Sequence, residues 1–255
     1  MKTACCALLM VIFSAAAACS ADIHITAEER VEWHQKAQKT VAVGNAVATK
    51  DDLTVKADIL TGYYTSAKAD AKGSISRVTA EGNVRMSSLK AKAFGDNLDY
   101  NLAKDEAVLT GRPAKIDTGT ETITAEDKIT YYPNQQKAIA LGRVVAVDKD
   151  KNTLYADKMV AYFEKGSEKS QNMTLNKVDV FDNVKIITDN ATVTADKGTY
   201  LPKSGLIKLY DNITINQQGN ILRGDKAETD LNSGISKLIS ASPKQRVRGV
   251  FKEKK

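Results

Sequence analysis

Apolar and polar positions alternate with a period of two along most of the chain, and the alternation is punctuated at regular distances. Val78, Ala80, Val84 and Met86 share the parity of Gly82; Val178, Val180, Val184 and Ile186 share that of Asp182; Ile207, Leu209, Ile213 and Ile215 share that of Asp211. A period of two places successive side chains on opposite faces of an extended chain, so each stretch predicts a strand with one buried face. Turn-forming clusters such as Lys50-Asp51-Asp52 and Asp148-Lys149-Asp150-Lys151-Asn152 separate the stretches and predict antiparallel connections.

The punctuation is itself a repeat. Gly44-Asn45, Gly82-Asn83, Gly111-Arg112, Gly142-Arg143, Asp182-Asn183 and Asp211-Asn212 are each followed, 13 or 14 residues later, by a small residue with an acid behind it: Ala57-Asp58, Gly95-Asp96, Ala125-Glu126, Ala156-Asp157, Ala195-Asp196 and Gly224-Asp225. Ala27-Glu28 forms an opening half-unit. About six units of about 30 residues follow, lengthened near 61–72 and 164–174 by polar insertions that read as longer surface loops or hairpin tips. One stretch competes with this reading. Thr26 to Glu29 fits a helical capping box leading into a short helix, yet Glu28-Glu29 before Trp33 also fits the acid-then-aromatic spacing of Asp96 to Tyr100 and Asp196 to Tyr200, and strand is favoured.

Residues 1–21 read as a signal peptide: Lys2, then an apolar run from Ala4 to Ala18, too short to span a bilayer, then small residues. Cleavage falls before Cys19 or before Asp22, and the first alternative would leave a lipidated Cys19, since Ala16-Ala17-Ala18-Cys19 resembles a weak lipobox. All three cysteines lie in or beside this segment, so a chain cut before Asp22 has neither disulfide nor thiolate chemistry.

The 255 residues carry a net charge of +6, which invites a nucleic-acid partner. Its distribution removes that reading: residues 22–243 hold 30 bases and 30 acids, whereas residues 244–255 hold six bases and one acid. The body is one neutral domain, 22–243, and 244–255 is a basic end that reads as solvated and flexible. The two histidines, His24 and His34, stand without a recurring serine or carboxylate arrangement, so no catalytic residue, cofactor or metal is expected. The single acids of the repeats read as acceptors for turn amides rather than as a calcium site.

Ala-x-Gly-Asn-Val strands followed by Ala-Asp-x-x-x-x-Tyr strands resemble the OstA-like family of lipopolysaccharide-transport proteins. The matching segments are Ile23-His24-Ile25, Val41 to Asn45, Tyr100 to Gly111 and Asp127 to Tyr131, within a resemblance covering roughly residues 22–231. The resemblance implies an all-β, twisted, V-shaped β-jelly roll of antiparallel strands, a periplasmic location, and a non-enzymatic role as a bridge that carries lipopolysaccharide between the two membranes. It further implies an LptC-like inner-membrane partner, an LptD-like outer-membrane partner and head-to-tail homo-oligomers. The signal peptide and the absence of a barrel or anchor segment favour the soluble member of the family over its anchored and barrel-bearing components, which remain the alternatives alongside a ligand-free structural β-repeat.

The family's Ile-x-Ile lines the lipid path, and Ile23 and Ile25 occupy it here; parity adds Val41, Val43, Val55, Val84 and Met86 as expected lipid contacts. An acyl chain of about twelve carbons costs on the order of 10 kcal/mol to expose to water, at about 0.8 kcal/mol per methylene, so a lipid carrier needs a continuous apolar wall. The family's basic residue after the second hairpin strand has no counterpart, because Thr61-Gly62-Tyr63-Tyr64 stands there.

Overall fold

The computed structural model describes residues 23–65, 74–165, 173–240 and 246–250. The signal peptide, Cys19 and most of both insertions lie outside them. Among the described residues there are eighteen strands and no helix. The competing stretch after Thr26 is extended, with a strand over Arg30–His34.

The strands are β1 (His24–Thr26), β2 (Arg30–His34), β3 (Lys39–Lys50), β4 (Leu53–Tyr64), β5 (Ile75–Ser87), β6 (Lys92–Asn101), β7 (Glu106–Thr110), β8 (Ala114–Asp117), β9 (Glu121–Ala125), β10 (Lys128–Tyr132), β11 (Lys137–Asp148), β12 (Thr153–Lys165), β13 (Met173–Ile187), β14 (Ala191–Leu201), β15 (Leu206–Gln217), β16 (Asn220–Asp230), β17 (Ile235–Ile239) and β18 (Arg248–Val250). They divide into two compact units.

The first unit holds the described residues up to Gly119 together with Thr124–Ala138. In it β1 and β2 lie one after the other along β3, with Ile25 opposite Ala48 and Val31 opposite Ala42. Antiparallel pairing then runs β3 to β4 to β5 to β6, and β7 and β8 share β6. The second unit holds Thr120–Ile123 and the described residues from Ile139 onward. It runs antiparallel from β12 to β16, and β17 and β18 share β16. Part of the basic C-terminal segment is thus a strand, with Val250 opposite Ile221.

The repeat has a physical cause. At five of the six punctuation points both residues take left-handed backbone angles: Gly44-Asn45 (86° and 42°), Gly82-Asn83 (75° and 50°), Gly142-Arg143 (82° and 35°), Asp182-Asn183 (61° and 52°) and Asp211-Asn212 (63° and 52°). Gly, Asn and Asp accept that region with least strain. Four of these pairs form β-bulges in which the punctuated strand carries one residue more than its partner: Val43 to Ala46 spans Ile59 to Ala57, and Phe181 to Val184 spans Lys197 to Ala195, with the same offset at Gly82 and Asp211. The third point differs: Gly111 shows no left-handed angle, and the chain proceeds through a cis Arg112-Pro113 bond. A Cβ on Gly111 would sit 2.8 Å from the Cα of Gly95, which explains glycine at both.

The acids of the repeat meet these bulges. The Asn45 amide donates to Glu28 (2.7 Å), Asn83 to Asp58 (2.9 Å), Asn183 to Asp157 (2.6 Å) and Asn212 to Asp196 (2.7 Å). The expectation that these carboxylates serve turn amides is corrected: they accept from the side chain of the next bulge. The alanine before the acid is buried at Ala57, Ala125, Ala156 and Ala195, whereas Ala27, Gly95 and Gly224 are half-buried. Because the bulge spans an even count, the apolar residues on either side stay on one face, and Ala80, Val84 and Met86 are all buried.

Asn183→Ala loses a hydrogen bond and puts a Cβ-only residue in a left-handed position, so it should cost about 1–3 kcal/mol. Asn183→Asp keeps the backbone preference but sets two carboxylates together, and its loss at neutral pH should shrink as pH falls below about 4. Thermal unfolding checks both, at about 2–4 °C per kcal/mol. A melting temperature for Asn183→Ala equal to that of the parent would mean that the bond holds nothing.

Candidate functional site

Each unit contains an apolar cavity walled by residues of that unit alone. The first, about 270 Å³, has Ile23 and Ile25 from the N-terminal strand at one side, Ala42 and Ala48 from β3, Val55 and Leu60 from β4, and Met86, Leu98 and Tyr100 beyond. Two of its polar groups are spent on one another: the Tyr64 hydroxyl donates to the Thr40 hydroxyl at 2.7 Å, and both line the cavity. The single charged side chain in its lining is Lys50, which is exposed and stands at the end of β3.

The cavity gathers Ile23, Ile25, Val55 and Met86 of the residues expected from the sequence. Val84 is buried in the core beside it, and Val41 and Val43 are half-buried without lining it. The reason is parity. Relative to Gly44, as relative to Gly82, the residues of even spacing turn inward, and on β3 these are the alanines Ala42, Ala46 and Ala48 rather than the valines. Applying the punctuation rule to β3 would have found Ala42 and Ala48. Leu60, Gly62 and Tyr64 have their signal on the neighbouring strand: the β4 to β5 register shifts where Lys56 to Ile59 faces Gly82-Asn83, and the inward parity moves there from odd to even.

The second cavity, about 150 Å³, is walled by Leu154 and Met159 of β12, Val178, Val180 and Ile186 of β13, and Leu209 of β15, with Glu121 from β9. Sequence reading assigned nothing to it. Its charged lining residues are Glu121, which is buried, and Asp148. The Asp148 carboxylate caps its own turn, accepting from the amides of Asp150 and Asn152 at 2.9 Å each and from the Asn152 side chain at 2.8 Å.

Among the described residues no cluster of three metal-ligating side chains occurs. His34 is paired with Glu32 at 2.7 Å on the surface, and Arg30 and His34 together hold the Glu32 carboxyl below its usual range.

Antiparallel β-strands, bulged at recurring Gly-Asn and Asp-Asn pairs beside apolar hollows, define an all-β repeat protein. The chain belongs to the LptA/(LptD N-terminal domain) LPS transport protein family, whose model matches residues 24–137 and again residues 123–235. It is accordingly an all-β component of lipopolysaccharide transport. No curated protein sequence matches it. Among solved structures it is similar to LptH of Pseudomonas aeruginosa, described as the LptA-homologous periplasmic component of the conserved lipopolysaccharide transport device, at 13% identity over 91% of this chain and 96% of that one, with a TM-score of 0.23.

Burial raises the Tyr131 hydroxyl to about 12, with Asp105 and Tyr100 adding to the effect, and burial likewise raises Tyr100 at the cavity wall. The folded state therefore binds the phenolic proton more tightly than the unfolded chain. The stability this gives is complete below pH 10 and is lost as pH rises toward 12. Tyr131→Phe should flatten the decline of melting temperature between pH 10 and 12; an unchanged decline would remove Tyr131 as its source.

Proposed function

We propose that the protein is a periplasmic, non-enzymatic bridge that holds acyl chains of lipopolysaccharide in its first cavity and passes the lipid toward the outer membrane. The observation that carries this reading is the cavity itself. Ile23 and Ile25 stand in its wall, nearly all of its lining is apolar, and alanine rather than leucine at Ala42 and Ala48 leaves the hollow unfilled. Exchange of lipid along such a wall avoids exposing the chain to water, the step that costs on the order of 10 kcal/mol. Lys50 at the rim is placed to meet a lipid phosphate, the task for which Thr61 to Tyr64 offers no base.

Head-to-tail stacking is the second part of the proposal. The first strands of the chain expose Val31 and Trp33, and the last expose Ile235, Ile239 and Val250. Exposed strand edges are templates for another strand, and a contact between unlike edges does not close, so it builds a filament. Charge favours the same pairing, with Glu28, Glu29 and Glu32 near β2 and Lys237, Arg246 and Arg248 near β17 and β18. An LptC-like partner at the inner membrane and an LptD-like partner at the outer membrane would engage the two kinds of edge.

A photo-crosslinking residue at Ile25 should capture lipopolysaccharide in Gram-negative cells, while one at Leu89, 88% exposed, should not. Equal capture at both, or none at Ile25, would remove the cavity from the path. Stacking is read from Trp33, the only tryptophan and 71% exposed. Its emission should shift to the blue as light-scattering mass grows with concentration, and Trp33→Lys should stop the growth. A constant monomer mass at high concentration would refute stacking.

A further inference from the structure

Among the described residues of β3 to β16, Gly62 is the one glycine that the backbone does not require. Gly44, Gly82 and Gly142 take left-handed angles, and a Cβ at Gly95, Gly198 or Gly224 would approach a neighbour to 2.9 Å or closer. Gly62 has no left-handed angle, and a Cβ there would meet only the Tyr64 hydroxyl, at an ordinary contact distance of 3.9 Å. A glycine inside a strand weakens it relative to alanine, because it has more backbone freedom to lose and no side chain to pack. The fold gains nothing from a glycine here.

The missing side chain would stand in the wall of the first cavity. Thr40, Gly62, Val78 and Tyr100 face one another across β3 to β6, and all four line the hollow. Their row lies at the opposite end of β3 from Ala48, the partner of Ile25. Beside it are Ile75, Leu102 and the Tyr64 hydroxyl bonded to Thr40. A hydrocarbon chain that enters beside the exposed Ile23 reaches this end by passing the row of Gly62.

The second unit has the same end with a side chain in place. The two family matches start at residues 24 and 123. Tyr63 lies opposite Arg77 and Tyr64 opposite Ile75, across a register shift; Tyr162 lies opposite Lys177 and Phe163 opposite Leu175, across the same shift. Ala161 therefore takes the place of Gly62, and Phe163 that of Tyr64. Ala161, Phe163 and Leu175 are buried, none of them lines the second cavity, and that hollow is the smaller, about 150 Å³ against about 270 Å³.

We propose that Gly62 sets the length of hydrocarbon chain that the first cavity accepts, by leaving the end beside Tyr64 and Ile75 free for a chain terminus. This rests on the lipid-binding reading of that cavity. Octyl, dodecyl and hexadecyl maltosides with a diazirine on the terminal carbon test it on the purified mature chain, with labelled peptides mapped by mass spectrometry. In the parent the two longer probes should label the peptide containing Ile75, and the octyl probe only the peptides containing Val55 or Met86. Gly62→Leu should lower labelling at Ile75 by at least about fourfold, the change for one methylene left without a wall, and keep labelling at Val55 and Met86. Gly62→Ala should raise the melting temperature by about 1–4 °C, since the strand accepts a side chain there. Unchanged labelling at Ile75 in Gly62→Leu, an equal loss at all three peptides, parent labelling confined to Val55 and Met86 at every length, or a lower melting temperature for Gly62→Ala would each overturn the inference. A parent that takes no label at Val55, Met86 or Ile75 would strike the lipid reading itself.

Discussion

The architecture depends on a pair of consecutive left-handed residues whose second member is tied across the sheet. A β-bulge adds twist and bends its strand, but an unanchored bulge can slip by one residue and turn every following side chain to the wrong face. The amides of Asn45, Asn83, Asn183 and Asn212 prevent this by reaching the acid one strand back. One side chain thereby supplies both the backbone preference and the anchor. Gly or Asp in front of it is the residue that tolerates the other half of the turn. The tie reaches back across 16 to 26 residues, so it tolerates a lengthened connection between the two strands it joins.

The second constraint follows from the first. With register pinned, the alanines on the inward parity of β3 and before the acid of β4 turn inward at fixed positions: Ala42, Ala46 and Ala57 are buried almost completely, and Ala42 lines the hollow. A β-sandwich normally closes with large interdigitating side chains, and leaving such positions at alanine forfeits dispersion contacts along the wall. The cost is bearable because hydrogen bonding along long strands and the pinned bulges carry the fold, and its product is an apolar space with few polar groups left to satisfy. The Tyr64 to Thr40 bond removes one of those by pairing it within the wall.

Repeat, strand class and the apolar ends of β1 and β5 were legible in the chain because they rest on period and parity, which a sequence displays directly. Val41 and Val43 were expected from alternation, whereas parity counted from Gly44 points to Ala42 and Ala48, small residues that look inert when read singly. Leu60 and Tyr64 were hidden for another reason: the faces of β4 reverse opposite the bulges at Gly44-Asn45 and Gly82-Asn83, so the residues that announce the reversal lie on the two neighbouring strands. Lys50 was hidden inside a turn cluster, where a lysine beside Asp51 and Asp52 reads as solvated turn chemistry. The role of the acids needed a partner 16 to 26 residues away, which no local motif reveals.

The second cavity shows what repetition conserves and what it releases. Within a wall, Leu60 and Met159, or Met86 and Ile186, exchange with little consequence because apolar contact is non-directional and such swaps keep volume roughly constant. A place without a side chain is different, because nothing in the packing of the strand keeps it empty. Strand stability favours a side chain at Gly62 and Ala161 alike, and only the second unit supplies one. Packing therefore constrains the walls of both units toward the same composition and drives each hollow toward closure, as beside Ala161 and Phe163; the end beside Gly62 stays open against that tendency.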